Sequence, residues 1–434
     1  MSLINKLPIV KKIKQKLYKR LEVLENESLI SATENINLRI KLKLMNHEKI
    51  NVVFVCHRPQ VWLSLKNVYE AMCNDDFFDV KIVTIPNKKQ LKGLGLNHEE
   101  YASEGAEDFW KGGNVIQGYD YNTKTWLDLR KLKPDYICFQ QPYNVTRCPL
   151  YKSYYVSRFA KIFYVAYASN FMGNGLLEET TPKDFANSLS FFFTQNEMDN
   201  ALVKSLLSSY GNIFTDVVLT GFPRYDFVLE NKNAVSNVWS YKERENKFRL
   251  IWTPRWTTNE GNCNFFDYKD LLLDYCLSHD EIDFVFRPHP QAFSEWIANG
   301  LLTKEEAALY QKKYADAPNA NIDKESLYLN TFYSSDCLIT DVSSIVAEYF
   351  LTGKPIIYCH KKDYFNDFSR KLSEGFYWVH SWTELLKTLE MLKAGNDPLK
   401  VKREELIKSQ FYIPENGAGF TIKEYIKNDA KGLV

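Results

Sequence analysis

Residues 334–359 read SSDCLITDVSSIVAEYFLTGKPIIYC. An apolar run, Cys337 to Thr340, closes on Asp341, two serines follow, and an apolar-periodic helix starts at once. Lys354-Pro355 then opens a second apolar run, Ile356 to Cys359. Strand, turn, helix and strand in so short a stretch predict a parallel α/β sheet. Ser343 and Ser344 fall where the first N–H groups of the helix need partners.

The same rhythm extends in both directions. FRLIWTP, IDFVFRPHP, DCLITD, PIIYC and GFYWVHS read as strands of one series, with helices such as YKDLLLDYCLS and TKEEAALYQKKY between them. Upstream, INVVFVC, FDVKIVTIP, DYICFQQP, KIFYVAY, SLSFFFTQ and DVVLTGFP form another, with VWLSLKNVYEAMC as a helix. The polar stretch ENKNAVSNVWSYKERENK (230–247) separates the two. A chain of 434 residues with 45% apolar content is long enough for two cores. The expected organisation is a helical extension (1–46), a Rossmann-like acceptor domain (47–235) and a Rossmann-like nucleotide-donor domain (236–434). Two such domains facing a cleft describe the GT-B architecture of nucleotide-sugar transferases.

The extension is basic. In INKLPIVKKIKQKLYKRLEVL (4–24), Val10, Ile13, Leu17, Leu21 and Leu24 recur at helical spacing. Lys6, Lys11, Lys12, Lys14, Lys16, Lys19 and Arg20 surround them, with no acid before Glu22. Such a helix either lies on an anionic membrane surface or packs on the body with a solvated lysine face. Beyond it Ile36, Leu38, Ile40, Leu42 and Leu44 alternate as in a strand, while the Lys/Leu/Arg composition suits a helix, which is the expectation.

Several function classes are disfavoured. A net charge of +1 gives no field for a general nucleic-acid binder. The eight cysteines are scattered without a Cys-x-x-Cys pair, which fits reduced, buried thiols in a cytoplasmic protein. No apolar run is long enough to span a membrane, so membrane attachment is expected to be peripheral, at the inner face. No G-x-G-x-x-G follows the first strand, and there is no P-loop, no nucleophile elbow and no metal-ligand spacing. No metal or other cofactor is therefore expected, and phosphate charge would fall to side chains and helix ends.

Four tracts lie at or near strand carboxyl ends, where open α/β sheets bind ligands. They are LTGFPRYD (219–226), IWTPRW (251–256), FRPHP (286–290) and LITDVSS (338–344). Each alone is consistent with a surface turn; their order across one domain is more specific. Together they resemble the CDP-glycerol glycerophosphotransferase family of teichoic acid and capsule synthesis, over roughly residues 150–400. Its members show a Gly-x-Pro-Arg-x-Asp tract, a Thr-Pro or Ala-Pro strand end, an Arg-Pro-His-Pro and a Leu-Ile-Thr-Asp-x-Ser-Ser. The resemblance implies a CDP-activated donor whose pyrophosphate meets Ser343 and Ser344, the serines also capping the helix. Asp341 would fix the turn or a ribose hydroxyl, and His289, stiffened between two prolines, would contact the donor phosphates. Arg287 would face an acid or the phosphate, with Arg255 and Arg224 as further cations.

The first domain departs from the family pattern. Family members of the glycerol-phosphate type carry Trp-His-Gly-Thr after a strand, its histidine serving the acceptor. In KIFYVAYASNFMGNG (161–175) that place holds Tyr167, Ala168, Ser169 and Asn170. Tyr167, Ser169 and Asn170 are thus acceptor-side candidates, and Gly173–Gly175 allow a close backbone approach. His57, after the first strand in VCHRPQVW, is either a substitute base or a structural histidine. Three readings stay open: transfer of a polyol phosphate to a hydroxyl of a surface polysaccharide or lipid-linked acceptor, sugar transfer from a nucleotide sugar, or a non-catalytic membrane-bound assembly factor.

Overall fold

The computed structural model describes residues 8–90, 99–102, 109, 114–170, 176–233, 236–241, 246–325 and 328–434. Residues 1–7 of the basic extension, Gly173–Gly175, and 234–235 and 242–245 of the polar stretch lie outside them.

The first sheet contains β1 (Ile50–Cys56), β2 (Phe78–Thr84), β3 (Val115–Gln117), β4 (Tyr136–Phe139), β5 (Lys161–Val165), β6 (Phe191–Thr194) and β7 (Asp216–Leu219). Its order is β7-β6-β5-β4-β1-β2-β3, parallel throughout. The second contains β8 (Phe248–Thr253), β9 (Ile282–Phe286), β10 (Ala320–Ile322), β11 (Cys337–Thr340), β12 (Ile356–Cys359) and β13 (Tyr377–Val379). Its order is β10-β9-β8-β11-β12-β13, also parallel throughout. Central strands such as β4, β5 and β9 are buried along their whole length, as sheets covered by helices on both faces require. The chain reverses direction across each sheet between β1 and β4 and between β8 and β11, which creates a crevice at both places.

The strands read from sequence are strands here. The edge strands β3 and β10 were not read, because each is three residues long with little apolar pattern. The expected helix VWLSLKNVYEAMC divides into a 3-10 turn, Pro59–Ser64, and a helix, Lys66–Cys73. All eight cysteines are free thiols and all but Cys73 are buried. Among the described residues no helix is long and apolar enough to cross a membrane.

Pro8–Met45 is a single helix. Helix wins over alternation at 36–44 because Ile36 and Ile40, one turn apart, are buried against the first sheet's core while Leu38 and Leu42 are exposed. Arg39 and Lys43 then reach the fully buried Asp135, which also accepts the backbone N–H of Asn51. Toward the opposite end, Leu17, Leu21 and Leu24 are each more than half exposed, at 58%, 53% and 53%.

The last helix, Ala418–Ala430, returns from the second sheet to pack on Lys66–Cys73 of the first. Its approach is so close that a Cβ on Gly419 would sit 2.7 Å from the backbone of Asn67. Lys423 and Lys427 pair with Asp75, and Asp429 pairs with Lys161. We propose that the chain divides into two units within 230–247, with 418–430 belonging structurally to the first. Limited proteolysis is expected to cut first between about 228 and 248 or to remove the N-terminal helix, because buried strands resist cleavage. A first cut within β1 or β11 would contradict the division.

Candidate active site

The crevice of the second sheet gathers three of the four tracts. β8 ends at Thr253 and leads to Pro254-Arg255, and its neighbour β11 ends at Thr340 and leads to Asp341. Asp341 is buried and accepts the backbone N–H of Arg255 and, at 3.0 Å, that of Asn264. It therefore fixes two turns at once, the first of the two roles expected of it. Burial pushes its carboxyl up to about 7, against the pull of those N–H groups.

β9 delivers Arg287 and His289. The His289 ring stacks on Trp256 with centroids 4.7 Å apart and planes 12° from parallel. Nδ1 accepts the Gln291 N–H at 3.2 Å, so the neutral ring carries its proton on Nε2. Partial enclosure, and then the Arg255 charge, hold the imidazole down at about 4, so it is neutral at pH 7 and is a donor through Nε2–H.

The three expected cations all have carboxylate partners. Arg255 forms a pair with Glu260 at 2.8 Å, and its Nε bonds to both Glu260 and Thr257. Arg287 turns to Asp323 at 2.7 Å, with its guanidinium over the Tyr328 ring. Arg224 is buried against Glu348 at 3.0 Å, with the Tyr328 hydroxyl bonded to both. Burial raises the Glu348 carboxyl above its ordinary range, and the Arg224 charge opposes this.

The serines correct an expectation. Ser344 occupies the cap position of the helix Ile345–Phe350 but has φ −66° and ψ −23°, and its side chain makes no capping bond. A capping hydroxyl needs extended backbone to reach back to the helix N–H groups, and Ser344 is already helical. Glu348, one turn after Ser344, places the Arg224 pair on the same short helix.

LTGFPRYD is a joint. Gly221 adopts φ +80° and a Cβ there would lie 2.9 Å from the Tyr412 carbonyl oxygen, so only glycine fits. Pro223 starts a helix, Arg224 reaches Glu348, and Asp226 accepts the N–H groups of Ala418 and Gly419, both at 2.9 Å. The tract thereby ties both sheets and the returning helix.

Across from it, the first sheet's crevice holds His57 after β1 and Gln140-Gln141 after β4. Gln140 Oε1 accepts the N–H groups of His57 and Arg58, both at 2.9 Å, and His57 Nε2 donates to Gln141 Oε1 at 2.8 Å. Burial, followed by the Arg147 and Arg58 charges, lowers His57 to about 3. Its remaining nitrogen is thus a hydrogen-bond acceptor of low proton affinity. Ser169 is buried between Tyr225 (2.8 Å) and Gln195 (3.0 Å). Asn170 donates to the buried Asp199 at 3.0 Å, and its carbonyl accepts from Asn366 of the second unit at 2.9 Å. Tyr167 offers its carbonyl to Arg224 at 3.2 Å and its hydroxyl to that of Tyr143 at 3.0 Å.

The fold thus brings Arg255, His289 and Asp341 to one crevice and His57 and Tyr167 to the other, with Arg224 between. Sequence reading missed Glu348, Tyr328, Trp256 and Tyr143. Trp256 and Glu348 lie within or a few residues beyond the tracts, whereas Tyr143 and Tyr328 had no motif to mark them. Among the described residues no group of three or more His, Cys, Asp or Glu could hold a metal ion.

Residues 171–378 match the family model described as CDP-glycerol:poly(glycerophosphate) glycerophosphotransferase. The chain carries a glycerophosphotransferase-family domain. All four tracts lie within the matched span, and Tyr167–Asn170 lie just before it. Comparison with curated proteins gives no match. Among solved structures, the wall teichoic acid polymerase TagF is 14% identical, with a TM-score of 0.54 over 94% of this chain and 98% of that one. The S. aureus MnaA–UDP complex is 13% identical, with a TM-score of 0.56 over 89% and 98%. UDP-GlcNAc 2-epimerase from Neisseria meningitidis, bound to UDP-GlcNAc, is 11% identical, with a TM-score of 0.55 over 88% and 99%. At such identities the likeness is one of fold, that of a GT-B-like enzyme, and the transferase assignment rests on the glycerophosphotransferase match.

Glu348→Ala would leave the Arg224 guanidinium buried without its charge partner. Urea unfolding is expected to show a loss of about 3–5 kcal/mol, with much of it recovered in Arg224→Met/Glu348→Leu. A single variant as stable as the parent would show that the pair is solvated or unformed.

Proposed function

We propose that the protein transfers a polyol phosphate, of the glycerol phosphate kind, from a CDP-activated donor to a hydroxyl of a cell-surface polysaccharide or lipid-linked acceptor. The observation that carries this reading is the matched span itself: it contains all four tracts, and three of them converge on the β8/β11 crevice. The acceptor oxygen bonds to the phosphorus that bears the polyol, the phosphoanhydride bond to CMP breaks, and the electron pair stays on the CMP phosphate. The hydroxyl proton leaves to that phosphate or to water. In this scheme His289 Nε2–H, neutral at pH 7, stabilises charge on the departing oxygen, with the Arg255 guanidinium beside it. Ser343 and Ser344 serve the donor phosphates, and Asp341 holds the crevice in shape.

A second reading is sugar transfer from a nucleotide sugar. The acceptor-side departure at Tyr167–Asn170 favours it, as does the GT-B-like fold shared with proteins bound to UDP and UDP-GlcNAc. Nucleotide choice separates the two. CDP is expected to raise the melting temperature more than UDP or GDP, because a ligand of the native state stabilises by mass action. His289→Ala should abolish turnover while retaining the CDP shift. Ser343→Ala with Ser344→Ala should weaken nucleotide binding by about 1–3 kcal/mol. A UDP shift without a CDP shift would transfer the assignment to the glycosyltransferase, and no shift with any nucleotide would favour the assembly factor.

We further propose that the basic end of the N-terminal helix rests on an anionic membrane surface in the cytoplasm. The exposed Leu17, Leu21 and Leu24 beside lysines and Arg20 support this. Vesicles containing phosphatidylserine should bind the full chain, increasingly weakly with added salt, and should not bind a chain lacking residues 1–24. Unchanged binding after that deletion would remove the membrane role.

A further inference from the structure

The acceptor side contains a feature that no tract announces. Tyr143 follows β4 and Tyr167 follows β5, neighbouring strands of the first sheet, so both sit at its carboxyl edge. Both rings are half-buried, with centroids 6.3 Å apart at 63°, and their hydroxyls are 3.0 Å apart. In such a pair one hydroxyl donates to the other. The second hydrogen and the remaining lone pairs are then available to a further hydroxyl, which can be met both as donor and as acceptor.

The pair lies close to the donor side. The Tyr167 carbonyl takes the Arg224 hydrogen bond at 3.2 Å, and Arg224 is paired with Glu348, one turn beyond Ser344. Gln141, which holds His57, is two residues before Tyr143. The surroundings are electrically balanced. Burial first, then Tyr167 and Glu179, raise the Tyr143 phenol, and Arg58 opposes them, so it stays neutral at pH 7. The buried Arg147 is committed to the Gln141 carbonyl and Asn144 Oδ1, and Arg224 to Glu348. Aromatic faces with neutral amide, imidazole and phenol groups suit the C–H faces and hydroxyls of a sugar. A chain of glycerol phosphates brings one negative charge per repeat and needs guanidinium or ammonium groups not already held by protein partners.

We propose that Tyr143 and Tyr167 form the acceptor seat, and that the acceptor presents a neutral saccharide hydroxyl there in place of a phosphate-bearing polyol chain. This rests on the polyol phosphate transfer proposed above. The phenols orient the attacking hydroxyl and take no proton.

The test is CMP release by the full-length protein from CDP-glycerol, with either an uncharged alkyl disaccharide or a glycerol phosphate oligomer as acceptor. The disaccharide is expected to be used with a KM at least about tenfold below that of the oligomer, as unpaired phosphate charge opposes binding. Tyr143→Phe and Tyr167→Phe should each raise the disaccharide KM about three- to tenfold, the loss of one neutral hydrogen bond. The KM for CDP-glycerol and the CDP-induced melting shift should not move, and the double variant should be little worse than either single one. Preference for the oligomer would overturn the proposal, as would phenylalanine variants that change the donor KM or leave the acceptor KM unaltered. CDP binding without release to either acceptor would overturn the seat alone. Absence of any CDP effect would remove the transferase reading and the seat with it.

Discussion

A buried guanidinium–carboxylate pair, Arg224 with Glu348, holds the two halves of the candidate site in register. Both groups are almost wholly removed from water, at 8% and 2% exposure, so each depends on the other for its charge to be tolerated. The guanidinium also donates to the Tyr167 carbonyl, which ties the loop after β5 and the helix after Ser344 to the same group. Gly221 and Asp226, on either side of Arg224, fix the turn and the returning helix to the same joint.

Around this joint the chemistry follows from sheet topology. In each sheet the chain leaves the centre in opposite directions, and the two strands flanking that reversal open a crevice at their carboxyl ends. On one side this brings the Asp341-fixed turns next to Arg255 and His289, and on the other it brings His57 next to Gln141. The two histidines are both neutral at pH 7, each through burial and then nearby arginine charge, but their ring nitrogens are engaged differently. His57 is buried, with its Nε2–H already used by Gln141, whereas His289 retains a free choice of partner at Nε2. That asymmetry leaves His289 with an N–H to offer and His57 with only a weakly basic acceptor nitrogen.

Much of this was legible in the sequence. Long apolar strands ending in Pro, Asp or Ser marked the sheets, and three of the four tracts marked the β8/β11 crevice because their residues are local. What escaped depended on distant partners. Arg224 and Glu348 are 124 positions apart, so no spacing rule could join them, and the helical state of Ser344 could not be told from an ordinary cap. The alternation at 36–44 was ambiguous until Ile36 and Ile40 found a common core and Arg39 and Lys43 found Asp135. Tyr143 carried no motif; it became visible only once β4 and β5 were neighbours.

The central claim is that a polyol phosphate, and not a sugar, leaves a CDP carrier. Phosphorus-31 NMR of the full-length protein with CDP-glycerol and a hydroxyl acceptor tests it directly. The account predicts loss of the two diphosphate resonances and matched growth of one phosphodiester and one CMP resonance. Unchanged CDP-glycerol, together with consumption of a nucleotide sugar under the same conditions, would contradict it.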